Sequence, residues 1–267
     1  MSGWSAGVFT VATNIYFEYW REMVVSADQH LFPGRDVTFH VFTDQPDAAR
    51  QVGRELSRGQ VVAFEIPSYG WPEATLYRYQ FAADHVASLE GDVLMHLDAD
   101  MVVVDDVGAD LNPYAWMGGL AFVRHPGFRR PTGIRAARYY LGSPRTLRED
   151  LRAKRLRGGL GAWESRPAST AFLPRERRKH YVYGAIWMGL RDPINAMCAE
   201  LASEVRVDLA AGLIADWHDE SHLNRYAGDH PHSLLDCDYC HVEGWGNLSD
   251  LQAKISVVDK GSHLTRE

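Results

Sequence analysis

Apolar residues recur along this chain in two alternating rhythms. Residues 7–13, 36–43 and 61–66 are short runs rich in Val, Phe and Thr, the composition of strands. Between the first two, Ile15, Tyr19 and Met23, with Trp20 and Val24 alongside, repeat at helical spacing and predict a helix over 15–29. A further helix is expected over 72–89, then a β-favouring run over 92–104 and a strand over 182–190. Helical spacing returns over 146–157, 193–207 and 218–227. Strands alternating with helices imply an α/β fold with a mostly parallel sheet and helices on its faces. Ligands of such folds bind beyond the carboxyl ends of the strands. No internal repeat or low-complexity tract interrupts the pattern.

Two polar clusters break the rhythm where ligands would sit. Trp217-His218-Asp219-Glu220-Ser221-His222-Leu223-Asn224 opens the helix over 218–227. A helix N-terminus favours an acid, because it carries orphan N–H groups and partial positive charge. That accounts for one carboxylate, not for two acids, two His and a Trp together. Trp217 has two readings, a ligand-facing aromatic or a core residue stapling the helix entry. The second cluster, Asp98-Ala99-Asp100, follows the apolar run 93–97. Surface turns often carry Asp-x-Asp. At the end of a buried strand, however, the two carboxylates project the same way and can share a hard divalent cation such as Mn²⁺ or Mg²⁺.

Composition narrows the picture. At 267 residues and 46% hydrophobic content, the chain can bury a large core in one α/β domain or two small ones. No apolar run approaches 18 residues, and the N-terminus lacks the basic-then-apolar layout of a signal peptide. The expectation is a protein without a transmembrane segment, located in the cytoplasm at the inner membrane surface. Three Cys argue against a disulfide framework. Cys237 and Cys240, near His230, His232 and His241, form a lone CxxC, for which free thiols are the default and zinc the alternative.

The net charge of −7 hides a division: residues 124–180 carry +12 and the remainder −19. Within 129–162 the basic stretch reads either as a solvated helix in a surface insertion or as a flap that meets an anionic surface or a phosphate-bearing acceptor. No nucleic-acid motif accompanies the Arg-rich tract, so nucleic acid is not an expected partner.

The two clusters together resemble glycosyltransferase family 6, which holds the histo-blood-group A and B transferases, the α1,3-galactosyltransferases and bacterial relatives. Val41-Phe42-Thr43-Asp44-Gln45, Trp71-Pro72-Glu73-Ala74-Thr75-Leu76-Tyr77-Arg78, His125-Pro126-Gly127-Phe128 and Trp163-Glu164-Ser165-Arg166-Pro167, leading to Tyr181-Val182-Tyr183-Gly184-Ala185, are similar to further family segments. The resemblance runs from about Gly7 to the C-terminus with one large gap, and implies a GT-A fold. It implies a single catalytic domain over 1–267, with a nucleotide-binding half (1–104) and an acceptor-binding half (105–267). The acceptor-binding half would contain the insertion 129–162 and a mobile C-terminal tail.

By the same resemblance, the reaction would be retaining transfer of galactose or GalNAc from a UDP donor to a glycan or lipid-linked glycan hydroxyl in α1,3 linkage. Glu220 would be catalytic. Asp98 and Asp100 would hold Mn²⁺ or Mg²⁺. Val11, Tyr16, Arg78, Asp98, Tyr183, Gly184, Ala185, Asp219, Lys260 and Arg266 would bind the donor. His125, Glu164, Trp217 and His218 would bind the acceptor. Ala185 tilts donor choice towards galactose, because a methyl there crowds an N-acetyl group. The family's late Tyr-Leu-Trp-Asp is replaced here by Tyr239-Cys240-His241-Val242. The competing readings are a different UDP-sugar transferase of GT-A type and a carbohydrate- or polyanion-binding module with an inactive site.

Overall fold

The computed structural model describes residues 3–258. In chain order the elements are β1 (Ala6–Val11), α1 (Tyr16–His30), β2 (Val37–Thr43), α2 (Pro46–Gly53), β3 (Gln60–Glu65), α3 (Glu73–Leu76), α4 (Arg78–Asp84), β4 (Val93–Leu97), β5 (Met101–Val103), β6 (Leu120–Arg124), α5 (Gly133–Gly142), α6 (Pro144–Arg157), β7 (Val182–Leu190), α7 (Arg191–Ala210), α8 (His218–Asp229), β8 (Ser233–Leu235) and β9 (Ile255–Val257). A seven-stranded sheet runs β3-β2-β1-β4-β7-β6-β8, and β5 pairs with β9 in a separate ribbon. Strand β7 is antiparallel to both its neighbours; the other pairings in the large sheet are parallel. This mostly parallel, helix-flanked sheet is consistent with a GT-A fold.

Both faces of the sheet are covered, which is why its strands read as nearly continuous apolar runs. Val8, Val41, Met95 and Met188 pack on one side with Trp20, Met23 and Val24 of α1. Their sequence neighbours Phe9, Phe42, Leu94 and Trp187 pack on the other with Tyr79 of α4, Met197 and Leu201 of α7 and Leu223 of α8. The alternation follows from the period-two geometry of a strand. Among the described residues no helix is long and apolar enough to cross a membrane.

Two expected elements differ. The run 92–104 is not one strand. It leaves the sheet after Leu97, where the Asp98 N–H donates to the Ala185 carbonyl at 2.9 Å, and resumes as β5 against β9. Asp favours such turns over strand interiors. The helix over 72–89 is broken at Tyr77 into α3 and α4, and it ends at Asp84. Elements α2, α5, β6, β8 and β9 are not among the expected ones. Helix α2 buries only Ala49 and Val52, and β8 and β9 have three residues each.

Helix α8 is pinned to β7 by one side chain. Asn224 accepts from the Val182 N–H and donates to the Val182 carbonyl, both at 2.8 Å, and also donates to the Glu220 carbonyl at 2.9 Å. Replacing it with Ala strands a buried donor and acceptor on β7. Asn224→Ala is expected to lower the unfolding free energy by about 3 kcal/mol in urea titration, whereas a loss below about 0.5 kcal/mol would refute the clamp.

Candidate active site

The carboxyl end of β4, the amino end of β7 and the first turn of α8 meet at one side chain. Arg78, the first residue of α4, is buried, with 5% of its surface exposed. Its Nη1 lies 3.0 Å from Asp98 Oδ1, 3.3 Å from Asp219 Oδ2, 3.0 Å from His96 Nε2 and 3.1 Å from the Gly184 carbonyl. Its Nε donates to the Thr75 carbonyl at 3.1 Å. Burial disfavours the guanidinium charge, but Asp219 and Asp98 more than offset that and raise its pKa. Arg78 is therefore a buried, charged side chain rather than a solvated one. Through Nη1 and Nε the side chain positions the carboxylates at the end of β4 and the start of α8.

Asp219 and Glu220 sit in the first turn of α8, where the helix dipole and free N–H groups favour acids. Ser221 Oγ accepts from the Trp217 N–H at 3.0 Å and closes that turn. Asp219 is buried, which raises its pKa, while Arg78 works against the rise. Glu220 Oε2 accepts from the Gly184 N–H at 2.8 Å. Burial pushes the Glu220 carboxyl up to about 8, with Gly184 and Tyr181 opposing it by hydrogen bonds. The Gly184 peptide thus touches Arg78 through its oxygen and Glu220 through its nitrogen. A Cβ at this position would lie 3.0 Å from Glu220 Cβ and 3.3 Å from Asp219 Oδ2, so a larger residue must displace the acids.

His125 faces Glu220 from β6, with Nε2 3.9 Å from Oε1. Burial lowers its pKa to about 4, so the ring is neutral. Nδ1 accepts from the Gly127 N–H at 3.0 Å, which leaves the proton on Nε2, directed at Glu220. Tyr183 and Tyr181 pack edge-on against this ring, with centroids at 4.9 and 5.6 Å.

At the mouth of the site Trp217 is 56% exposed, which rejects its reading as a core staple. His218 adopts a left-handed φ of 45°, and its ring meets Trp71 edge-on at 4.5 Å. Trp71 is itself 71% exposed. Val11 ends β1, and Tyr16 begins α1 two loops away from the Arg78 bridge, packing on Tyr19. Ala185 is buried among the α1-side core residues, on the face opposite Gly184; its backbone carbonyl, noted above, holds the Asp98 turn. Lys260 and Arg266 lie outside the described residues.

Glu164 requires a correction. Its side chain is fully buried and its oxygens accept from the N–H groups of Ser165, Arg166 and Asp216 and from the Arg166 guanidinium. Against the opposing effect of burial, these donors hold its carboxyl down at about 2. With no lone pair turned to the cleft, it supports the segment entering Trp217 rather than an acceptor hydroxyl.

Asp98 and Asp100 fit a hard divalent ion. They supply two oxygen donors at an open strand end, and the Asp98 side chain keeps 27% of its surface exposed. Among the described residues no group of three His, Cys, Asp or Glu converges on a metal position, here or elsewhere, so water and phosphate would have to complete the coordination. Cys198, Cys237 and Cys240 are all buried free thiols.

Sequence reasoning did not single out His96, Trp71 or Tyr181 as parts of the site. His96 Nε2 stands 3.0 Å from Asp98 Oδ1, beneath the carboxylate it steadies. It lay hidden inside an apolar strand. Trp71 could have been found from its position in a loop, where a large aromatic has little core to join.

A sequence profile of glycosyltransferase family 6 matches residues 3–118 and 160–267. The chain is 27% identical over 250 residues to histo-blood group ABO system transferase 1 of Rattus norvegicus, covering 91% of this chain and 63% of that protein. It is 28% identical to globoside alpha-1,3-N-acetylgalactosaminyltransferase 1 of Gallus gallus, over 87% of this chain and 60% of the relative. It is 23% identical to the O-antigen biosynthesis glycosyltransferase WbnI of Escherichia coli, over 95% and 94% respectively. The chain spans about three-fifths of the length of the animal relatives. With a profile match over most of its length and an acidic site at the strand ends of a GT-A-type sheet, the chain belongs to glycosyltransferase family 6.

Proposed function

We propose that this protein transfers a galactose-type sugar from a UDP donor to a glycan hydroxyl in α1,3 linkage, with retention of anomeric configuration and with Mn²⁺ or Mg²⁺ bound. The observation that carries the reading is the Arg78 bridge, which joins the carboxylate at the end of β4 to the acids opening α8. A diphosphate and the sugar attached to it need both within one site. Asp98 and Asp100 would hold the ion, which offsets the charge building on departing UDP.

In this reading Val11 and Tyr16 flank the base beyond β1. Tyr183, Gly184 and Asp219 surround the donor sugar, and Ala185 shapes that site from the buried face of β7. Exposed Trp217, with His218, offers an aromatic face to the apolar side of a sugar ring. Glu220, 3.9 Å from the neutral His125 Nε2–H, occupies the reacting centre. As a carboxylate it stabilises an oxocarbenium-like transition state, by attack on the anomeric carbon or through space.

Glu220 acts only when ionised, and burial holds its carboxyl at about 8. The kcat/KM profile should therefore rise with pH, pass half its maximum near 8 and level off above that, since the ratio reports the free enzyme. A flat profile between pH 6 and 9 would contradict the assignment. The same shift has a stability consequence. A carboxyl whose folded pKa exceeds its unfolded value favours folding while protonated, and that contribution is lost as pH rises through the folded pKa. Glu220→Gln should cut kcat by more than about a hundredfold. It should also raise stability by roughly 3 kcal/mol at pH 9, with little change at pH 5, in denaturant titrations at the two pH values.

Gly184→Ala should lower kcat by about tenfold or more while the protein remains folded, because the methyl displaces Glu220 and Asp219. Wild-type turnover in this variant, measured as UDP release, would show that the close approach is unimportant. Excess EDTA should abolish UDP release from UDP-galactose, and Mn²⁺ should restore it. Full activity in the chelator would remove the ion from the reaction.

A further inference from the structure

The insertion 129–162 supplies a second site. Helices α5 and α6 form a hairpin tied together internally and fastened at its end to the segment 175–178. Arg130 pairs with Asp150 through two bonds of 2.7 and 2.8 Å, and Tyr140 donates to the same carboxylate at 2.9 Å. At the end of α6, Gly158 takes a left-handed φ of 85° against the Arg175 carbonyl, and Arg178 Nη1 donates to the Arg157 carbonyl at 2.9 Å. Between this hairpin and the end of β6 lies a cavity of about 400 Å³.

Its charged lining is Arg124, Arg130, Lys154 and Lys179, with His180 beside them and no acidic side chain. Arg130 is spent on Asp150. Among the described residues Arg124, Lys154 and Lys179 have no ion-pair partner. Asp150 offsets Lys154 in part, and the remaining cations facing one concavity repel each other unless an anion joins them. His180 registers that field, since burial and then Arg124 lower its pKa.

The cavity shares a wall with the candidate active site. Tyr181 and Phe128 line it, with ring centroids 5.0 Å apart, and both pack on His125. The family profile omits the hairpin, so the feature belongs to this chain rather than to the shared catalytic machinery.

We propose that this cavity binds a phosphate or diphosphate carried by the acceptor, holding a diphosphate-linked glycan with its sugar end in the cleft beside His125. That the anion belongs to an acceptor rests on the transferase reading; anion binding itself does not. A concave site on the other side of the Tyr181–Phe128 wall from the cleft suits a discrete phosphate better than a flat bilayer surface.

The test titrates the metal-free full chain with inorganic pyrophosphate while the His180 ring resonances are followed by NMR. The expected result is a saturable shift, with affinity at least tenfold weaker in Arg124→Gln/Lys179→Gln. Arg124→Lys/Lys179→Arg should retain it, which separates charge from folding. UDP affinity with Mn²⁺ is measured on the same proteins and should not change. Neutral vesicles doped with a polyprenyl diphosphate should recruit the wild type and not the double Gln variant. The proposal is overturned by no shift at millimolar pyrophosphate, by equal affinity in that variant, or by a parallel loss of UDP binding. Equal recruitment by vesicles of anionic phospholipid alone would overturn it in favour of a membrane contact.

Discussion

Everything in the candidate site depends on burying one guanidinium among carboxylates. Asp98, Asp219 and Glu220 converge from distant parts of the chain, and like charges in a low-dielectric space resist that convergence. Arg78 lets the first two share a single cationic nitrogen, while the Gly184 carbonyl and His96 complete its coordination. Such an arrangement is weak evidence for stability as such: removing one partner of a buried pair typically costs about 3–5 kcal/mol, but most of that is the charge left behind. Its value is positional. The bridge holds the end of β4 and the start of α8 in fixed relation, with a donor-sized problem of charge left for an ion and a diphosphate to solve.

The same environment explains why Glu220 differs from its neighbour. Asp219 has Arg78 within 3.3 Å; Glu220 has a peptide N–H, a tyrosine and a neutral histidine in contact and feels Arg78 only as its weakest influence. One acid is kept in place by charge, the other is left costly to ionise. A group strained in that way in the empty protein is relieved when positive charge develops next to it, which is the condition of an oxocarbenium-like transition state. The structure also shows what the strain requires of the scaffold: a glycine where β7 passes α8, and an asparagine that holds the helix down.

Much of the fold was legible because the sheet is buried on both faces. Strand β7 reads directly from 182–190, and α1 and α8 from their apolar spacing. The segment 92–104 misled because β4 and β5 are both apolar and only the turn at Asp98–Asp100 separates them. The three-residue strands β8 and β9 hold their places through pairing with β6 and β5, a tertiary fact with no local signature. At the site, residue type and spacing exposed the acids. They did not reveal how the partners are shared. Arg78 and Glu164 look alike in sequence as polar residues near motifs; the coordinates make one a bridge between acids and the other a buried support for the entry to α8.

The central claim is that Asp98, Asp100 and Glu220 act on one donor molecule. The most direct measurement is a crystal structure with Mn²⁺ and a non-hydrolysable UDP-galactose analogue. The account predicts an ion ligated by Asp98 and Asp100, the diphosphate upon it, and the anomeric carbon about 3–3.5 Å from a Glu220 carboxylate oxygen. An analogue bound with its sugar directed away from α8, or an ion held by other residues, would contradict it.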